Sequence, residues 1–264
     1  MLDLFRRALT FQSRVFVCFA YRIFWLSVAG TVCAAIQKLS RIVAFFLPIK
    51  IALMSVPATQ GISIIPHTPL YVTFLFAATA MAFLLSVTSV PALRKITMTA
   101  MQIFQGGRNQ KVDSFTFDFY VSFLRQIGDC AILLMCWSVM ALANGMYGGL
   151  ALLIIAASAA VVAVVFSSSS LGQWKLVRWW RSDPKGFFDI FEPCVFLVLF
   201  CLLAGILYFW KDVGVLPALA CVIFTRHFVA SFTMICRRTI KWIREQSVIE
   251  QKLFCFSRLP EEHR

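Results

Sequence analysis

The sequence predicts an all-α, polytopic membrane protein with six transmembrane helices and both termini cytoplasmic. Three observations carry this. Of the 264 residues, 60% are hydrophobic and 14% charged, whereas about a quarter of the residues of a soluble domain are charged. Mean hydropathy is +0.82. Six stretches also reach the roughly 20 apolar residues that a helix needs to cross a hydrocarbon layer about 30 Å thick, where backbone N–H and C=O groups find no water. The 25 Lys and Arg against 12 Asp and Glu would suit nucleic acid, but so much apolar surface makes the lipid bilayer the expected partner instead.

Residues 1–22 read as a basic, aromatic, amphipathic segment on the inner surface, with Arg6, Arg7, Arg14 and Arg22 at anionic head groups and Phe5, Phe11, Phe16 and Phe19 in the acyl boundary. Arg22 interrupts the apolar run, which argues against a cleaved signal peptide. The six spans follow at 23–57, 70–93, 119–143, 146–166, 190–210 and 213–236. The first is too long for one crossing, so it tilts, protrudes, or breaks at 38–41 to give a seven-span alternative.

Charge sets the orientation, because cytoplasmic loops are enriched in Lys and Arg. Arg94, Lys95, Arg108 and Lys111 follow the second span, Lys175, Arg178, Arg181 and Lys185 the fourth, and Arg237, Arg238, Lys241 and Arg244 the sixth. The opposite connections carry only Lys211. The membrane domain thus occupies 23–236 within a single 1–264 unit, and 237–264 continues into the cytosol as a helix and tail. Ile240, Ile243, Ile249 and Leu253 fall near one face of that helix.

Most of the nine Cys lie in or beside apolar runs without a C-x-x-C spacing, and read as small hydrophobes. No Ser-His-Asp set, His cluster or nucleotide motif stands out, so no catalytic residue, metal or cofactor is expected. Asp189 and Glu192 precede Pro193 as a helix's first turn would, where acids favour the dipole.

Charges within the spans need a reason, since each costs at least about 2.5 to 3.5 kcal/mol at the bilayer centre. Arg125 and Asp129 are four apart, share a helix face and are expected to pair internally. Glu192 lies at the inner rim of the fifth span. Lys38 and Arg41 share a face that lines a watery cavity if the first helix is unbroken, or anchors at an interface if it is broken. Arg226 sits deep in the sixth span, facing either an interior acid, Asp129 or Glu192, or an anionic substrate. Lys38, Arg41, Lys50 and Arg226 together form the candidate substrate pathway, electropositive and suited to phosphate- or carboxylate-bearing solutes.

The stretch Phe45-Phe46-Leu47-Pro48-Ile49-Lys50, the run from Leu216-Pro217-Ala218-Leu219 through Arg226 to Leu253, and the layout of tight outer hairpins at spans three to four and five to six resemble the transmembrane domain of exporter-type ATP-binding-cassette (ABC) transporters. The resemblance implies a permease-type subunit in a bacterial inner membrane, with a second six-helix chain, such as a homodimer mate, as partner. It also implies two inner coupling loops, at Gly106, Gly107 and Arg108 and at Asp183, Pro184 and Phe187. No G-x-x-x-x-G-K-[ST] occurs, so ATP hydrolysis would fall to a separate nucleotide-binding subunit. The inner connections 94–118 and 167–189 are short for the family and predict truncated stalks. A non-transporting membrane scaffold or assembly subunit that keeps the helical fold is the alternative, and a membrane lipid or glycan enzyme a third reading.

Overall fold

The computed structural model describes residues 2–54, 69–104, 114–167, 174–209 and 215–251. Seven helices hold these residues: α1 (Leu2–Met54), α2 (Pro69–Phe104), α3 (Ser114–Ala143), α4 (Gly145–Ser167), α5 (Lys175–Ser182), α6 (Pro184–Phe209) and α7 (Val215–Arg244), after which 246–251 are again helical. All except α5 contain a stretch long and apolar enough to cross a membrane, giving six candidate spans and a multi-pass membrane protein. Among the described residues there is no strand.

The first helix settles the question of one crossing or two. Its backbone leaves helical geometry at Ile23 (φ −138°, ψ 35°), which separates an N-terminal arm from the span beginning there. It then runs unbroken through Lys38 and Arg41 and past Pro48 to Met54. A seven-span chain broken at 38–41 is therefore overturned.

The arm corrects a second expectation. Phe11, Val15, Phe19 and Ile23 recur every four residues, a spacing that forms one stripe along a helix, and all four are buried. Phe19 packs its ring on Phe104 of α2 and on Tyr120 and Phe123 of α3, at centroid distances of 5.2, 4.8 and 5.5 Å. Trp242 of α7 and Ile249 beyond it complete the cluster. Phe11 and Phe19 therefore face protein, whereas Phe16 remains exposed as an acyl-facing residue would. The side chain of Phe5 lies outside the described residues. On the C-terminal helix Ile240 and Ile249 are buried, and Leu253 lies outside the described residues.

Helices α3 and α7 form the central pair. Against them lie α1, which packs chiefly on α2, and α6 with α4. Outward faces are apolar: Phe74, Phe76, Phe83 and Leu84 on α2 and Leu197 and Val198 on α6 are exposed, as lipid-facing side chains are. Helix α2 spans 36 residues, about 54 Å at 1.5 Å per residue. It carries the chain past the apolar stretch at 70–93.

Two corners follow from capping chemistry. Asn144 alone joins α3 to α4, and its Oδ1 accepts the backbone N–H of Tyr147 at 2.9 Å, satisfying a donor at the start of α4. The α4 helix then leans on α7 through the buried Tyr147, whose hydroxyl lies 2.5 Å from Thr225 Oγ1. Thr225 Oγ1 also lies within hydrogen-bond reach of the Cys221 carbonyl at 2.6 Å and of Met140 Sδ at 3.2 Å. Tyr147→Phe is expected to cost about 1 kcal/mol, one neutral hydrogen bond, read as a small shift in thermal unfolding in nanodiscs. A loss several times larger would mean that the hydroxyl holds more than Thr225.

At the other corner Asp183 accepts the Gly186 N–H at 3.0 Å, with Pro184 at the first helical position of α6, where a missing N–H costs nothing. The helix therefore begins at Pro184, and Pro193 lies inside it. The expected helix start at Asp189, Glu192 and Pro193 is overturned, because the stronger start signal, an acid followed by proline, lies two turns earlier.

Candidate functional site

Among the described residues Asp129 is the one buried carboxylate, and the helices bring cations to it. Gly30 and Ala34, four apart on α1, present small residues to α3. A Cβ on Gly30 would lie 2.7 Å from Leu124 Cδ1, and one on Gly128 would lie 3.4 Å from Ala34 Cβ and 3.5 Å from α1 backbone atoms. The two backbones approach closely there, and one turn further along α1 the ammonium of Lys38 reaches Asp129.

Asp129 is 1% exposed. Its Oδ1 accepts from Lys38 Nζ of α1, and its Oδ2 accepts from the Arg238 guanidinium of α7. Three helices thus converge on one acid. A polar seam continues along α7: Gln12 Nε2 of α1 and Gln126 Nε2 of α3 both donate to Thr239 Oγ1, each at 3.3 Å. Gln126 Oε1 and Thr233 Oγ1 are buried without a protein partner among the described residues.

The expected Arg125–Asp129 pair is not formed. Arg125 sits exposed one turn before Asp129, while both carboxylate oxygens are taken by residues distant in sequence. Arg41 and Arg125 are exposed about one turn away along the same helices, from Lys38 on α1 and from Asp129 on α3. Two cations therefore share one carboxylate, with two more about a turn away along α1 and α3.

The remaining candidates are scattered. Arg226 is exposed on α7, and among the described residues it forms no ion pair with Asp129 or Glu192. Glu192 is half-buried. Asp189 instead accepts from Arg237 Nη2 at 2.7 Å, and the Arg237 guanidinium lies 5.7 Å from the Phe188 ring centroid. The side chain of Lys50, and Gly106, Gly107 and Arg108, lie outside the described residues.

The second coupling position is altered. Asp183, Pro184 and Phe187 form the first turn of α6, and the separate short helix precedes them as α5. Phe187 is 4% exposed and packs between Trp180 and Phe191, at 5.3 and 5.1 Å. It is thereby removed from any docking surface.

Sequence reasoning missed Arg238, which it placed with the inner basic anchors, and the glutamine–threonine seam. The Gly30-x-x-x-Ala34 spacing upstream of Lys38 was the available signal. Among the described residues no three His, Cys, Asp or Glu side chains gather as a metal site. Cys136 and Cys221 are buried among apolar side chains, while Cys130, Cys194 and Cys201 are exposed. No family model, curated protein or solved structure matches the chain.

Proposed function

We propose that this chain is a permease-type subunit that admits an anionic solute at the seam between α1, α3 and α7. The observation that carries the reading is the charge ratio: Lys38 and Arg238 both contact Asp129, Arg41 and Arg125 stand about one turn away on α1 and α3, and among the described residues no second acid joins them. Asp129 neutralises one of them. In the low dielectric of a membrane domain the residual positive charge attracts a phosphate- or carboxylate-bearing solute far more strongly than it would in water.

Arg226 supports a water-lined path shared with a second six-helix chain. It is exposed within the span of α7, and lipid contact at that depth costs at least about 2.5 to 3.5 kcal/mol. The ABC-exporter layout supports the same arrangement, with ATP hydrolysed by a separate nucleotide-binding subunit. The basic connections support a bacterial inner-membrane orientation with both termini cytoplasmic.

One observation favours the alternative, a non-transporting scaffold: both oxygens of Asp129 are already occupied, as in a purely structural staple. The two readings part in nanodiscs. A panel of phosphate and carboxylate solutes is expected to raise the unfolding temperature of the wild-type chain, while neutral analogues leave it unchanged. Arg41→Gln with Arg125→Gln, both exposed, is expected to weaken that binding about tenfold, the scale of a charge-assisted contact, without loosening the fold. If no anion raises the transition, the scaffold stands and the permease reading falls.

A further inference from the structure

A second cluster of cations lies away from the seam, where the ends of α4 and α7 meet α5. Arg181 of α5 donates from Nε to the Val165 carbonyl at 2.6 Å, which pins α5 against the last turns of α4. Arg244, in the last turn of α7, donates from Nη2 to the Arg181 carbonyl, and its guanidinium lies 5.9 Å from the Phe166 ring centroid. Between them is a notch of about 110 Å³, lined by Phe166, Arg181, Ile240, Ile243 and Arg244. Its charged lining residues are Arg181 and Arg244, and among the described residues the rest of its lining is apolar.

The surroundings say which anion fits. Helix α5 reads Lys175-Leu176-Val177-Arg178-Trp179-Trp180-Arg181-Ser182 and contains no acid. Val177 faces the protein, while Trp174, Leu176 and Trp179 are 68%, 53% and 49% exposed. A short basic helix that turns tryptophan and leucine outward beside the end of a membrane span belongs at the level of the lipid head groups. Lys175, Arg178 and Lys241 are exposed around it and add to the positive field. An anion arriving there comes attached to acyl chains, and the notch offers guanidinium for the first and isoleucine and phenylalanine for the second.

We propose that this notch binds the phosphate of an anionic phospholipid, held between Arg181 and Arg244, with the root of an acyl chain over Phe166, Ile240 and Ile243. Because Arg244 bridges to the backbone of α5, a lipid seated there also clamps the end of α7 to the corner between α4 and α6. The proposal is independent of what passes through the seam at Asp129.

The test uses the full chain in nanodiscs of phosphatidylcholine with or without phosphatidylglycerol, reading the unfolding temperature and, after transfer to detergent, the lipids retained in native mass spectrometry. The wild-type chain is expected to retain phosphatidylglycerol over phosphatidylcholine and to unfold at higher temperature in its presence. Arg244→Gln is expected to weaken retention about fivefold, the effect of one basic residue at a membrane surface. Arg244→Lys keeps most of it, and Lys95→Gln on α2 leaves it unchanged. The proposal is overturned if the wild-type chain shows no preference, if Arg244→Gln keeps the full preference, or if Lys95→Gln reduces it equally. Displacement of the lipid by inorganic phosphate at matched concentration would assign the notch to a soluble anion and would also overturn it.

Discussion

Asp129→Asn is expected to destabilise the protein by about 3 to 5 kcal/mol, the usual cost of removing one partner from a buried ion pair. The carboxylate is shared by two cations, so its replacement leaves Lys38 and Arg238 facing each other across a neutral amide that compensates neither charge. The reverse change is expected to be mild. Lys38→Met leaves a neutral Asp129–Arg238 pair still buried and bonded, and removes a charge that was in excess. The asymmetry distinguishes a seam with spare positive charge from a balanced salt bridge, in which either deletion costs alike. Unfolding of the two single variants and the double variant in nanodiscs measures it as a double-mutant cycle. Equal losses from Asp129→Asn and Lys38→Met would sink the charge ratio as an explanation. Lys38→Met should still weaken anion binding, which separates its part in function from its small part in stability.

The spans were legible because hydropathy is a local property. Twenty apolar residues need a helix whatever surrounds them, and the boundary at Ile23 and the tight corner at Asn144 followed from the charge at Arg22 and the turn residues at 144–145. The partner of Asp129 was not legible. The local rule pairs residues four apart, which named Arg125, but the chosen partners depend on the register in which α1 and α7 lie on α3. For α1 that register is set by the close approach at Gly30, Ala34 and Gly128, which hydropathy does not record. The arm failed for a related reason. A stripe of Phe11, Val15 and Phe19 looks the same whether lipid or protein covers it, and only the presence of Phe104, Tyr120 and Trp242 on other helices decides. Phe187 illustrates the same limit at the second coupling position, where an aromatic residue beside a polar turn is buried by Trp180 and Phe191.

Gly148→Ala is expected to cost about 3 kcal/mol, although it adds a single methyl group and favours helix. The new Cβ would stand 2.6 Å from Ala141 Cα and 2.9 Å from its backbone nitrogen. Backbone atoms in a helix cannot swing aside as a side chain does, so α4 must move away from α3 as a unit. That movement is opposed at both sides of the glycine. Its carbonyl accepts from Trp137 Nε1 at 3.1 Å, and the neighbouring Tyr147 is fully buried with its hydroxyl on Thr225 of α7. Displacing α4 strains these contacts in addition to the overpacking, which by itself costs about 1 to 3 kcal/mol. Gly149 supplies the control, since a Cβ there meets nothing within 4 Å. With no clash, Gly149→Ala is expected to be neutral or to stabilise by up to about 1 kcal/mol, because glycine is the poorer helix former. Thermal unfolding of the two variants side by side decides it: two adjacent glycines, the same added methyl, and opposite outcomes. If both variants unfold at the wild-type temperature, α3 and α4 do not meet at Ala141, and the approach that positions Tyr147 against α7 is wrong.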